Sequence, residues 1–265
     1  IRVLLEKDTR EHYCLLKKVE LKDFDNSQED FNVAKIRQDL RIEDLKRYGI
    51  ETILLDSYDE IPKILSEIER IYLNKTVFIS GSISTFPKYW GEKEVNTFCY
   101  NLSKYIVSEG YKVTSGFGIG IGSSIINGAL DEIYSSKYKH VDEHLSLYPF
   151  PQIEEENKSL KERKTKYRNT IISNSGICIF VFGNKIKNGK TVKADGMLEE
   201  FKIAKKLGKI IIPIGNTAEA ANQIFRDMKK QRKLYPYLEN FWSILENGKN
   251  DNVISKISEI IKQQQ

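Results

Sequence analysis

Between Ser115 and Ser123 four glycines alternate with other residues, in the order Ser-Gly-Phe-Gly-Ile-Gly-Ile-Gly-Ser. The run follows a strand-like segment and precedes a helix-like one. Glycine lets backbone N–H groups approach an oxyanion with no Cβ in the way. A helix N-terminus adds unpaired donors and partial positive charge. Ser115, Gly116, Phe117, Gly118, Gly120 and Gly122 are therefore candidates to cradle a phosphate. The same glycines also suit a tight turn with close helix–sheet packing. Gly81-Ser82 reads as a second glycine turn, again directly after a strand. Arg168 lies on a helix leading into an apolar strand, and Asn184-Lys185 lies just past the carboxyl end of that strand. Gly196 begins a further helix that carries Glu199 and Glu200 in its opening turns. An arginine and a lysine converging on one crevice suit phosphate, and a carboxylate suits ribose hydroxyls. Acids are favoured near a helix N-terminus anyway, so Glu199 also has an ordinary explanation.

Several common chemistries do not fit. No register of the glycine run matches G-x-G-x-x-G, and no Gly-Lys-Ser/Thr follows it, so neither a dinucleotide fingerprint nor a P-loop is present. Cys14, Cys99 and Cys178 are far apart, with no CxxC spacing, which argues against a disulfide framework and a zinc site. They read as buried reduced thiols of a cytoplasmic protein. His140 and His144 are spaced for one helix face but lack a third ligand, and read as surface histidines. No metal is expected. The basic runs Lys158 to Arg168 and Arg226 to Lys233 mix with acidic or polar residues and read as solvated helix faces, so no nucleic acid is expected as partner.

These residues need strands and helices to hold them, and the chain supplies both in alternation. His12 to Lys17 and Thr52 to Leu55 read as strands. Phe31 to Tyr48, closed by Gly49, and Ile61 to Tyr72 read as helices. The second has an apolar face of Ile61, Ile64, Leu65, Ile68 and Tyr72. The character changes near Asn74-Lys75, where a boundary is expected: 1–74 as a small α/β fragment, 75–265 as the main domain. Beyond it, strands are expected at Thr76 to Ser80, Lys112 to Ser115, Leu145 to Tyr148, Ile177 to Phe182 and Lys209 to Ile214. Helices are expected at Glu92 to Glu109, from the glycine turn through Tyr134, at Glu154 to Asn174 and at Gly196 to Leu207. The first buries Val95, Phe98, Cys99, Leu102, Tyr105 and Ile106. Ile177 to Phe182, apolar on both faces, reads as a central strand. The pattern predicts an α/β, Rossmann-like open parallel sheet with helices on both faces, and ligands on such sheets bind at strand carboxyl ends.

Composition sets outer bounds. The 265 residues are 40% hydrophobic and 30% charged, with net charge +5, ordinary for a soluble globular protein. That charge permits an anionic ligand without demanding nucleic acid. The longest apolar runs fall far short of the ~20 residues that span a bilayer, so no membrane partner is expected. The chain opens on Ile1 rather than Met and reads as part of a longer protein.

Ser115 to Ala129, SGFGIGIGSSIINGA, resembles the TGGGPGIMEAANRGA-type motif of the LOG phosphoribohydrolases. Arg168 and the Gly196 to Glu200 segment resemble that family's arginine and its GTxxE segment. LOG enzymes and the DNA-uptake protein DprA belong to one superfamily, called SLOG. A LOG-like enzyme would use Arg168 and Glu200 to cleave a nucleoside 5′-monophosphate. Here Ala194-Asp195 stands where those enzymes carry PGG, Met197 replaces a threonine, and Phe117 replaces a glycine. These departures point to binding rather than cleavage. A fuller resemblance runs through His12 to Lys18, Lys75 to Ser82, Ser115 to Gly122, Tyr148 to Gln152, Lys166 to Arg168 and Gly183 to Ile186. It is to the SIR2–SLOG effectors of the bacterial Thoeris anti-phage system. In them a SIR2-like domain hydrolyses NAD+, and a SLOG domain senses a cyclic ADP-ribose isomer made by a TIR-domain protein. The resemblance implies that residues 1–74 end a SIR2-like domain whose catalytic part lies elsewhere, and that 75–265 form the sensor, with no catalytic residue in this chain. It implies that Arg168 and Lys185 neutralise phosphates, that Glu200 accepts hydrogen bonds from a ribose, and that the glycine turns offer backbone donors. It also implies a homodimer paired through helices beside the pocket.

Overall fold

The computed structural model describes residues 12–87, 89–137, 139–151, 159–248 and 250–264. The chain divides into two compact units, 1–69 and 70–265. In the first, β1 (His12–Lys17) and β2 (Ile50–Leu55) pair in parallel, His12 opposite Ile50 and Lys17 opposite Leu55. Between them runs α1 (Gln28–Arg47), whose first turn is capped by the Ser27 hydroxyl accepting from the Asp30 N–H. Gly49, at φ +71°, follows the helix in the left-handed conformation that its C′ position needs. The Gln38 side-chain amide on α1 donates to the Lys17 carbonyl at 2.7 Å, fixing helix to strand.

The helix α2 (Ile61–Asn74) crosses the division between the units. The sequence places the boundary at Asn74-Lys75, a few residues later. The last turn of α2 belongs with the second unit: the Leu73 carbonyl accepts from the Gly176 N–H at 2.8 Å, and the Asn74 side chain donates to the Gln264 carbonyl at 3.3 Å. Leu65 and Tyr72, part of the apolar face read from the sequence, are exposed.

The second unit is built on five parallel strands: β3 (Thr76–Ser82), β4 (Lys112–Ser115), β5 (Leu145–Leu147), β6 (Ile177–Phe182) and β9 (Ile210–Pro213). Their spatial order is β5-β4-β3-β6-β9. Along the chain between β6 and β9 comes a separate antiparallel hairpin, β7 (Asn184–Lys187) and β8 (Lys190–Lys193). All six residues of β6 are buried, so both faces of the sheet are covered. The covering helices are α3 (Glu92–Ser108), α4 (Gly122–Ser135), the single turn α5 (Val141–His144), α6 (Leu160–Ser173), α7 (Asp195–Lys206), α8 (Glu219–Lys230), α9 (Trp242–Asn247) and α10 (Asn250–Lys262). α3 buries Val95, Phe98, Cys99, Leu102 and Ile106 as its spacing predicts, while Tyr105 is only half-buried.

Three expectations need correction. Gly81-Ser82 is not a turn: both residues remain paired in β3, opposite Val181 and Phe182 of β6. The helix expected from Glu154 begins, among the described residues, at Leu160 behind a Ser159–Glu162 capping box; residues 154–158, like Gln152, lie outside the described residues. Cys14 is half-buried rather than buried, whereas Cys99 and Cys178 are fully enclosed.

Candidate functional site

The strand order reverses between β3 and β6. From β3 the chain steps outward through β4 to β5, and from β6 it steps the other way to β9. At such a switch point the strand ends open a crevice. Its floor is the ladder where the Gly183 N–H donates to the Ser82 carbonyl at 2.9 Å. Trp90 and Phe98 pack edge-on against Phe182 beneath it, with Trp90 and Phe182 centroids 5.0 Å apart.

One wall is the glycine turn. A Cβ on Gly118 would strike the Gly81 carbonyl, and one on Gly120 the Ile83 carbonyl. The turn therefore lies directly on the exit of β3, stitched there by the Ile83 N–H donating to the Ile119 carbonyl at 2.8 Å. Gly122 is the first residue of α4 and sits beneath the Phe117 backbone. Close packing against backbone atoms thus accounts for three of the four glycines, and Gly116 meets a side chain instead. Gly116 faces the ring of Phe150, where a Cβ would come within 2.6 Å. Ser115 Oγ accepts from the Phe117 N–H at 3.2 Å. Phe117 holds φ +56°, uncommon for an aromatic residue, and its ring is half exposed. Among the described residues, the N–H groups of Gly118, Ile119 and Gly120 donate to no backbone carbonyl.

The opposite wall carries charge. Arg168 projects from α6 toward the first turns of α7. Its Nε donates to Glu200 Oε1 at 3.3 Å and its Nη1 to Glu199 Oε2 at 3.1 Å. Adjacent helix residues point about 100° apart, so the two glutamates diverge. Glu199 reaches Thr165 of α6, whose hydroxyl donates at 2.6 Å. Glu200 turns inward, and its Oε2 accepts from the Ser80 hydroxyl of β3 at 2.6 Å. The guanidinium also stacks over Phe150, 5.2 Å from the ring centroid. A Cβ on Gly196 would meet Arg168 Nη2, so glycine is what gives the guanidinium its place at the start of α7. Lys185 lies on β7, and its Nζ is 2.5 Å from Asp195 Oδ1. The same oxygen accepts the Gly196 N–H at 2.8 Å.

The two central carboxylates are perturbed in opposite directions. Burial pushes Glu200 above the usual carboxylate range, against the opposing pull of its Ser80 and Arg168 bonds. Asp195 is held below that range, first by the Lys185 hydrogen bond and further by the Gly196 N–H and the Arg168 charge.

The structure thus brings together Gly81, Ser82, the glycine turn, Arg168, Lys185, Gly196, Glu199 and Glu200. Asn184 has a different task. It is fully buried; its Oδ1 accepts the Ser84 and Thr85 N–H groups at 2.7 and 3.1 Å, and its Nδ2 donates to the Thr85 carbonyl at 2.6 Å. That amide anchors the hairpin bearing Lys185. The sequence reading did not single out Ser80, Phe150 or Thr165. Asp195 was visible only as a residue standing in place of a family motif. A cleft of about 530 Å³ beside α9 and α10, lined by Phe241, Ile244, Lys256 and Glu259 among others, holds none of these residues. Among the described residues, no group of three or more His, Cys, Asp or Glu side chains is arranged to hold a metal ion, and no helix is long and apolar enough to cross a membrane.

Comparison with known proteins agrees with this architecture. Residues 60–264 match the family described as Sir2- and TIR-associating SLOG. The NAD(+) hydrolase ThsA of Acinetobacter baumannii (strain 532279) is 39% identical over 234 residues, which cover 86% of this chain and 48% of that protein. The NAD(+) hydrolase ThsA of Bacillus cereus (strain MSX-D12) is 38% identical over 235 residues, 89% of this chain and 48% of that protein. That of Cytobacillus dafuensis is 36% identical over 233 residues, 86% and 47% respectively. The chain spans about half the length of these curated relatives.

Proposed function

The chain belongs to the Sir2- and TIR-associating SLOG family, and from that premise we propose that its second unit is a sensor for a cyclic ADP-ribose isomer. The ligand lies across the ends of β3 and β6. The backbone donors of the glycine turn and the cations Lys185 and Arg168 take its phosphates. In a longer protein related to the NAD(+) hydrolases, the bound ligand governs NAD+ hydrolysis, as part of Thoeris anti-phage defence in the cytoplasm. The signal is made by a TIR-domain protein, and the sensor works as a homodimer. It shifts the hydrolase toward its active state only by as much as its affinity differs between the two states.

One observation favours sensing over cleavage. Both oxygens of Glu200 are engaged, one by Ser80 and one by Arg168, and the residue is only 6% exposed. A phosphoribohydrolase would need the Glu200 carboxylate, with Arg168 as its cationic partner, in reach of substrate. Here the two residues satisfy each other. The test is a calorimetric titration of the chain with cyclic ADP-ribose isomers, NAD+ and AMP, followed by chromatography for free adenine. Saturable uptake of a cyclic isomer with no adenine released from AMP is expected. Release of adenine from AMP would support the LOG-like enzyme instead, and failure of every cyclic isomer to bind would overturn the sensor.

A further inference from the structure

Asp195 stands at the point where the site's positive groups converge. The Lys185 ammonium lies 2.5 Å from its Oδ1, and the Gly196 N–H at the N-terminus of α7 lies 2.8 Å from the same atom. The Arg168 guanidinium packs against the α-carbon of Gly196, one residue away. A lysine, an arginine and a helix N-terminus together are the groups that recognise phosphate. A carboxylate of the chain itself now holds the lysine.

We infer that Asp195 competes with the ligand's phosphate for Lys185, and so sets how tightly the site binds. The inference rests on Lys185 serving as a phosphate cation, as proposed above. Its physical basis is the difference in hold between the site's acids. Glu200 is enclosed and tied to Ser80 as well as Arg168, so no ligand can displace it without leaving a buried charge. The Asp195 side chain is 76% exposed, and its lysine partner 36%. Such an exposed pair is worth at most about 1 kcal/mol. A phosphate offers more charge and more acceptor oxygens to the same ammonium. The lysine can therefore change partners, and the carboxylate left behind repels the newcomer.

A role for Asp195 in merely orienting Lys185 predicts the opposite sign, which makes the idea testable. Asp195→Asn keeps the side-chain oxygen that accepts the Gly196 N–H and removes only the charge. Asp195→Ser, a second N-terminal hydrogen-bond acceptor, guards against a fold defect particular to the first variant. The 265-residue chain and both variants are titrated calorimetrically with inorganic pyrophosphate and with cyclic ADP-ribose isomers. We expect both variants to bind tighter, by about threefold to fivefold, the value of releasing an exposed ion pair. We also expect the gain to shrink when Lys185→Ala is added, leaving only the relief of repulsion between carboxylate and phosphate, since the two residues are coupled. Unchanged or weaker binding overturns the inference, as does a gain of undiminished size on the Lys185→Ala background. Pyrophosphate binding with no uptake of any cyclic isomer would sink the proposed ligand while still reporting the sign at Asp195. A wild-type chain that takes neither probe overturns both.

Discussion

Two ion pairs lie on the same wall of the crevice and differ in almost every respect. Arg168 with Glu200 is enclosed, the side chains 12% and 8% exposed, and is braced by Ser80 and by the ring of Phe150. Lys185 with Asp195 is open to solvent and, among the described residues, is braced only by the Gly196 N–H. Burial raises the carboxylate in the first pair, while the lysine lowers it in the second. The lesson is a division of labour. The enclosed pair fixes α7 against β3 and α6 and presents the guanidinium. The open pair can exchange partners, and exchange is what ligand binding needs.

Breaking the enclosed pair should have the largest effect. Arg168→Ala leaves Glu200 a buried carboxylate without its cation, and should cost about 3–5 kcal/mol in urea unfolding. Adding Glu200→Gln should restore part of that loss, because the stranded charge is gone. If Arg168→Ala unfolds at the wild-type midpoint, the pair is not structural. The glycine wall comes next. Gly118→Ala drives a methyl group into the Gly81 carbonyl and should cost at least about 1–3 kcal/mol by overpacking, read as a lowered thermal midpoint.

The open pair should show the reverse profile. Lys185→Ala should leave stability within about 0.5 kcal/mol of wild type, as expected of an exposed side chain. It should nevertheless weaken binding of the cyclic isomer by about tenfold or more, the worth of a charged hydrogen bond, ~1.5–3 kcal/mol. Equal losses of stability and affinity would erase the distinction between the pairs.

The smallest effect is in the pH dependence of stability. The Glu200 contribution, with its folded value raised, is fully present below the unfolded carboxylate range and is lost as pH rises through the folded value. The Asp195 contribution, with its folded value lowered, is present above that range and is lost as pH falls through the folded value. Glu200→Gln should therefore flatten the profile on the side toward neutrality, and Asp195→Asn on the acid side. Denaturation midpoints measured from acid to neutral pH check both; changes on the same side would contradict the assignment.

Much of the frame was legible in the sequence because local rules and tertiary packing agree there. The unbroken apolar run Ile177 to Phe182 declared a central strand, and it is one. The glycine run between strand and helix declared a close backbone approach, and Gly118 and Gly120 make it against two carbonyls. Gly81 misled for a related reason. Glycine marks turns, but here it marks a strand position whose Cβ would meet the Val181 carbonyl of the neighbouring strand. The hairpin was missed although its signal was present: Asn188-Gly189, at φ +51° and +72°, is the pair a two-residue hairpin turn prefers. The fate of Glu200 was not legible. Glu199 and Glu200 are neighbours of one type, and only the packing of α7 against α6 and β3 sends one to Thr165 and the other to Ser80. The same holds for Asn184, whose amide is consumed by a loop some hundred residues earlier in the chain.

The most direct test is a crystal structure of the chain grown with a cyclic ADP-ribose isomer. Ligand density is expected across the ends of β3 and β6, with phosphate oxygens within hydrogen-bond distance of Lys185 Nζ and the Arg168–Glu200–Ser80 bonds unbroken. Density for the isomer at another surface, or at these strand ends with Lys185 still on Asp195 and no phosphate beside it, would contradict that expectation.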